Sequence, residues 1–226
     1  MALIAAAASF TMISAFAAPP VTPGPPPNAP VDFCKARPNS PLTIQAAVDR
    51  GCTDITVAAG TYYENVTIPA GDTVTITGTA GAVNTIVDGG GNGTVFANYG
   101  NLTLTGLTIQ NGSSIAGGGI YNDYSGSLTL NNSIVTTNGA QYGGGIYNEG
   151  GSLTLNDSTV SGNVATEGGG IYNNGGTATL NNSTVSGNTA EFGGGGGIFY
   201  LNAYGSSLTL NNSTVSGNTP DDVFTL

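Results

Sequence analysis

GGGIYNDYSGSLTLNNSIVTTNGAQY (residues 117–142) is followed by GGGIYNEGGSLTLNDSTVSGNVATE (143–167), GGGIYNNGGTATLNNSTVSGNTAEF (168–192) and GGGIFYLNAYGSSLTLNNSTVSGNT (195–219). The isoleucines behind the glycine runs, Ile120, Ile146, Ile171 and Ile198, recur every 25 to 27 residues. Leu130, Leu155 and Leu180 close the matching runs 25 residues apart, and an insertion around 199–204 delays Leu210. A fixed period of this length means stacked supersecondary units, each too thin to bury its own apolar face.

Three short β segments fit each period; in the second repeat they are 145–148, 152–155 and 158–161. Alternation turns Ile146, Leu153, Leu155 and Val160 one way and Tyr147, Thr154 and Thr159 the other. Gly-Gly-Gly, Gly-Asn and Asn-Asn punctuate the chain too often for a helix. A chain that turns three times and returns to register is a coil, and stacked coils pair their strands in parallel, about 4.8 Å apart. Such crossovers are right-handed. The expectation is an all-β, right-handed parallel β-helix of about seven coils over residues 55–226, a rod of roughly 34 Å. A leucine-rich horseshoe would need a helical half-repeat that is missing.

Two asparagine columns run through the repeats: Asn138, Asn163, Asn188 and Asn218, and Asn131, Asn156, Asn181 and Asn211. A turn Asn tolerates left-handed backbone geometry. Stacked on its copies, its amide donates to one coil and accepts from the other. The Asn-x-Ser/Thr triplets among them, such as Asn156-Asp157-Ser158, are a by-product of this repeat.

Ahead of the coils, residues 1–18 form an alanine-rich apolar segment ending in Ala15-Phe16-Ala17, like the core and cleavage site of a secretory signal, though without a basic leader. It is too short for a transmembrane span. Residues 19–33 hold seven prolines and read as an extended linker. In a secreted chain the only two cysteines, Cys34 and Cys52, read as one disulfide; two buried thiols are the alternative in a reducing compartment. Within the cap, residues 34–54, Ser40-Pro41 resembles an N-cap and first helical position. Ile44, Ala47 and Val48 follow as an apolar stripe, and Gly51 as a stop. One short helix is expected to cover the first coil. At the other end Pro220-Asp221-Asp222 is expected to blunt the last strand edge, with Phe224 and Leu226 tucked beneath it.

Residues 42–68, LTIQAAVDRGCTDITVAAGTYYENVTI, resemble the opening of pectin-lyase-like β-helix proteins. The repeats, with SGNxA shortly before GGGI, resemble those of polymorphic outer-membrane proteins, a group of bacterial surface adhesins. Those adhesins usually show Phe-x-x-Asn and Gly-Gly-Ala-Ile where this chain has Val-Ser-Gly-Asn and Gly-Gly-Gly-Ile. The resemblance implies an extracellular or cell-surface protein, bacterial in origin, soluble once its signal is removed.

Pectin-lyase-like enzymes suggest a third implication, and the charges oppose it. The chain carries a formal net charge of −10, and past Arg50 it has no Lys, Arg or His. Lyases of that superfamily take a proton with a basic residue, and a polyuronate would be repelled. Asp157, Glu167, Glu191, Asp221 and Asp222 read as solvated turn charges, so no catalytic residue, cofactor or metal is expected. Asp88-Gly89-Gly90-Gly91-Asn92-Gly93 resembles a calcium-binding Gly/Asp repeat but occurs once. The acidic balance also excludes nucleic acid as a partner.

What remains is a structural or adhesive surface protein binding glycans or cell-surface molecules through outward columns; a flat-face binder, of ice for example, is the alternative. One column is Tyr121, Tyr147, Tyr172 and Phe199, whose rings alternation places outward as stacking platforms. They could equally stack on one another and shield the glycine turns. A second is Thr103, Thr129, Thr154, Thr179 and Thr209. Thr159, Thr184 and Thr214 make a third, interrupted by Ile134.

Overall fold

The computed structural model describes residues 32, 34–202 and 205–226. The signal-like segment, and all of the Pro-rich linker but Asp32, therefore lie outside the described residues. The chain winds as a right-handed parallel β-helix of about eight turns, and every pairing between its strands is parallel and in repeat register. The expected facing is observed. Leu128, Leu153, Leu130, Leu155, Leu180, Val135, Val160, Val185 and the isoleucines 120, 146, 171 and 198 are all buried in one continuous core. Burying each such side chain contributes about 1.5–3 kcal/mol.

Each regular coil carries four strands rather than the expected three. In the second repeat Ile146–Glu149 belongs to sheet C, Ser152–Asn156 to sheet A, Thr159–Ser161 to sheet B and Val164–Glu167 to sheet D. Among the described residues sheet A has eight strands, from Lys35–Ala36 to Ser207–Asn211; sheets B and C have seven each, and sheet D has four. The sheet D segments, Ser113–Ala116, Gly139–Tyr142, Val164–Glu167 and Thr189–Ala190, are small and polar with little apolar alternation. They are strands because the neighbouring coil supplies their hydrogen bonds. Their own composition does not ask for it.

The left-handed turn positions also lie one residue from where the sequence suggested. Neither Asn column has positive φ. The residue after Asn131, Asn156, Asn181 and Asn211 does: Asn132 (47°), Asp157 (49°), Asn182 (48°) and Asn212 (47°). In the other column the residue before takes that role, with Thr137 at 54° and Gly162 at 64°. The division is physical: a residue whose amide is spent along the stack leaves the turn to its neighbour.

At the N-terminal end α1 (Ile44–Asp49) covers the core with Ile44, Ala47 and Val48. Its N-cap is Thr43, whose Oγ1 accepts from the Ala46 N–H at 3.1 Å; Ser40 accepts from Leu42 instead. The helix starts later than Ser40-Pro41 suggests because Glu64, of the GTYYENV turn, accepts from the Ile44 and Gln45 N–H groups at 3.1 and 3.0 Å. Gly51 ends it as expected, at φ 76°. Cys34 and Cys52 are bridged, with Cα atoms 5.7 Å apart.

The C-terminal end departs further from expectation. Beyond Pro220 the chain forms another strand, Val223–Thr225, paired with Ile198–Leu201. Asp221 accepts from the Gly195 and Gly196 N–H groups, and Asp222 Oδ1 accepts from the N–H and side-chain amide of Asn218. These carboxylates therefore cap backbone and ladder donors, and strand pairing resumes beyond them rather than stopping at Pro220. Phe224 joins the last coil, but Leu226 stays 65% exposed.

Candidate functional site

The aromatic column exists and is longer than its four sequence members. Tyr121 stacks on Tyr147 at 5.8 Å between ring centroids, Tyr147 on Tyr172 at 5.3 Å and Tyr172 on Phe199 at 4.5 Å. Phe224 extends it at one end, and Tyr99 at the other, beneath which Ala97 holds the strand position paired with Tyr121. The start of each ring-bearing strand passes close against the glycine turn before it. Gly143, at φ 62°, could take no side chain, because a Cβ there would sit 2.4 Å from the Ile146 carbonyl and 2.9 Å from Tyr147 Cα.

Of the two expectations for this column, the geometry matches rings stacked on one another. Ring faces are spent on one another, the three tyrosines are half-buried, and Phe199 is only 1% exposed. The phenols are tied down as well: Tyr121 donates to Glu149 and, at 3.3 Å, faces Asp123, while Tyr147 accepts from Asn174 Nδ2 at 2.9 Å. Burial, and then the Glu149 carboxylate, hold the Tyr121 phenol well above the ordinary tyrosine range. Burial and then Glu167 push Tyr172 up to about 12.

Asn138, Asn163, Asn188 and Asn218 form a buried ladder, each Nδ2 donating to the next Oδ1 at 3.0 Å. Asn131, Asn156, Asn181 and Asn211 form a half-exposed one running the other way at 2.8 Å. A third ladder, Asn98, Asn122, Asn148 and Asn173, is fully buried inside sheet C, with links of 2.6–2.7 Å. Alternation in Ile-Tyr-Asn, inward, outward, inward, carried that signal. Asp88, the calcium-like position, spends its carboxylate on protein donors: Gly90 N–H, Gln110 Nε2 and Asn111 Nδ2 at 2.7–2.9 Å. Burial pushes Asp88 up, but these bonds outweigh it and hold the group below the usual carboxylate range.

One broad surface left unspent is the outer face of sheet A. Six successive strands present three outward positions each. One column is Thr73, Asn101, Ser127, Ser152, Thr177 and Ser207; the next is Thr75, Thr103, Thr129, Thr154, Thr179 and Thr209; the third is Thr77 and Thr105 followed by the half-exposed Asn ladder. The patch carries no charge and no large apolar side chain, and measures roughly 24 by 14 Å at strand geometry. Among the described residues the hydroxyls of the middle column make no hydrogen bond. The Thr159, Thr184, Thr214 column lies on sheet B and is paired with Ile134, so it does not extend this face.

No helix among the described residues is long and apolar enough to cross a membrane. No curated protein and no solved structure matches the chain. Residues 84–223, well over half the chain, match the family described as a right handed beta helix region. With the parallel coils and their in-register ladders, that match makes this chain a member of the right-handed β-helix family.

Proposed function

We propose that the protein is a secreted or cell-surface β-helix rod, structural and adhesive, that meets glycans or other hydroxyl-rich surfaces through the outer face of sheet A. The carrying observation is the uncharged Thr/Ser/Asn lattice repeated on six strands, whose central hydroxyls are unengaged. Such a face offers many weak hydrogen bonds, direct or through water, without desolvating a charge. Repetition along the rod converts weak contacts into avidity, and the net charge of −10 disfavours polyanionic surfaces.

The test is adhesion to immobilised neutral polysaccharides by the wild type and by Thr129→Lys/Thr154→Lys. The expected result is at least a tenfold loss with the melting temperature nearly unchanged; equal adhesion by the variant overturns the reading. Flat-face binding of ice is the second reading, favoured by the regular middle Thr column, and thermal hysteresis decides it. An enzyme is not proposed: lyase and hydrolase assays on pectate, pectin and neutral glycans, with and without Ca²⁺, should stay at background.

A further inference from the structure

The first repeat is one residue longer than the next two, and the extra length falls in its turn from sheet C to sheet A. Where the second repeat has Glu149-Gly150-Gly151 and the third Asn174-Gly175-Gly176, the first has Asp123-Tyr124-Ser125-Gly126. The turn closes with Gly126 N–H donating to the Asp123 carbonyl at 2.7 Å. It throws Tyr124 onto the surface at 76% exposure, outside the aromatic column. Nothing in the coil's hydrogen bonding requires a ring there, since the next two coils do without one.

Yet the ring is held. It lies against Gly150, where a Cβ would come within 2.3 Å of Tyr124 Cδ2. Below it is a concavity of about 370 Å³ lined by Tyr124, Glu149, Gly150, Asn174 and Gly175. Gly150 and Gly175, at φ 70° and 75°, give it a floor without side chains. Its polar groups are fixed from behind: Tyr121 donates to the Glu149 carboxylate, and Asn174 Nδ2 donates to the Tyr147 phenol, leaving Asn174 Oδ1 with no donor among the described residues. An adjoining hollow shares Tyr124, Gly150 and Gly175 and is walled by Ser127, Ser152 and Thr177, one hydroxyl column of the sheet A face.

An aromatic ring beside a pocket with a carboxylate, an amide oxygen and a glycine floor has the make-up of a site for an uncharged sugar ring. Axial C–H groups pack on the ring face, and hydroxyls donate to the fixed acceptors. The wall of hydroxyls gives a chain of such rings a path onto sheet A. We infer that Tyr124, Glu149 and Asn174 form a subsite for one neutral pyranose unit at the edge of the adhesive face, with the rest of the oligosaccharide running over Ser127, Ser152 and Thr177. This rests on the glycan-binding reading and names its specificity site: neutral sugars, because a uronate would meet Glu149.

The experiment is calorimetric titration of the whole chain with cello-, malto-, manno-, xylo- and chito-hexaose, with oligogalacturonate as the acidic control. The expected result is saturable binding of at least one neutral hexaose and none of the acid. Tyr124→Ala should weaken binding at least tenfold, and Tyr124→Phe, which keeps the ring face, by less than threefold. Gly150→Ala should also weaken it, by displacing the ring. Circular dichroism should show Tyr124→Ala melting within a few degrees of the wild type, since the ring is 76% exposed and its contact with the next coil is confined to Gly150. Undiminished binding by Tyr124→Ala, with Thr129→Lys/Thr154→Lys still defective, overturns this subsite and leaves the adhesive face standing. Absence of saturable binding across the neutral panel overturns the subsite, and adhesion to immobilised polysaccharide then decides the face separately.

Discussion

Asn163→Ala tests whether the buried ladder carries the stability of the rod. In the wild type Asn163 Nδ2 donates to Asn188 Oδ1 and the Val135 carbonyl at 3.0 Å and to the Ser161 carbonyl at 3.2 Å. Its Oδ1 accepts from both the N–H and Nδ2 of Asn138 at 3.0 Å. Truncation leaves Asn138 without its backbone acceptor and Val135 without its side-chain donor, in a site closed to water. Each orphaned buried group costs about 1–3 kcal/mol, and the void left by an amide adds about 1 kcal/mol. The expected loss is about 3–7 kcal/mol, a drop of roughly 6–28 °C at 2–4 °C per kcal/mol for a chain of this size. Asn156→Ala is the control. Its two ladder bonds are half-exposed and water replaces them, so about 0.5–1 kcal/mol is expected. The assay is urea unfolding followed by circular dichroism, with amide exchange to locate the damage, since repeat arrays need not unfold as one unit. Exchange should accelerate at the Asn138 amide. Equal midpoint shifts for the two variants, or an unchanged Asn138 amide, would refute the reasoning.

Thr85 is fully buried and its hydroxyl makes no hydrogen bond, so Thr85→Val should raise stability by about 1 kcal/mol in the same assay; a loss would mean the hydroxyl has a partner. Reducing Cys34–Cys52, which closes a separation of 18 residues, should lower stability by about 3 kcal/mol in the chain-entropy account and open the first coil to protease. Free thiols titrating in the native protein would contradict this. The Tyr172 phenol lies at about 12 in the fold against an unfolded value near 10, so its contribution is intact below pH 10 and lost as the pH climbs from 10 to 12. Asp88 has the opposite sign: its depressed value gives stability above its unfolded pKa of about 3.9, lost as the pH falls through the folded value. Phenolate absorbance and unfolding midpoints against pH check both.

Much of the fold was legible because a parallel stack repeats its constraints. Ile146 can be read as inward from one repeat, and its copies at 120, 171 and 198 fix the register. Sheet D was not legible for the converse reason: Gly139–Tyr142 and Val164–Glu167 share no apolar pattern, and only the adjacent coil makes them strands. The helix cap was misplaced because the Ile44 and Gln45 N–H groups are satisfied by Glu64, twenty residues beyond Ile44, a partner local sequence does not reveal. The aromatic column was read with the right members and with two possible uses. Alternation gives the side of the sheet on which a ring lies and left platform and mutual stacking open; the 4.5–5.8 Å centroid spacings decide for stacking. Tyr124 escaped notice because it breaks the repeat.

That contrast between repeated and unrepeated residues separates scaffold from surface. A side chain copied on every coil has its own copy as nearest partner, and ladder geometry consumes its bonding capacity: amides on amides, rings on rings. Such columns stabilise the rod and leave little for a ligand. Two kinds of position escape this. Outward Thr hydroxyls copied at the strand spacing cannot saturate one another as amides do, because each has one proton and the next hydroxyl lies a full strand away. A residue that the next two coils do not repeat, like Tyr124, has no copy on the adjacent coil to stack on. The free hydroxyl column and the lone ring lie on adjoining ground in this chain, joined by Ser127, Ser152 and Thr177. It is there that substitutions should change what the protein binds without changing how well it folds.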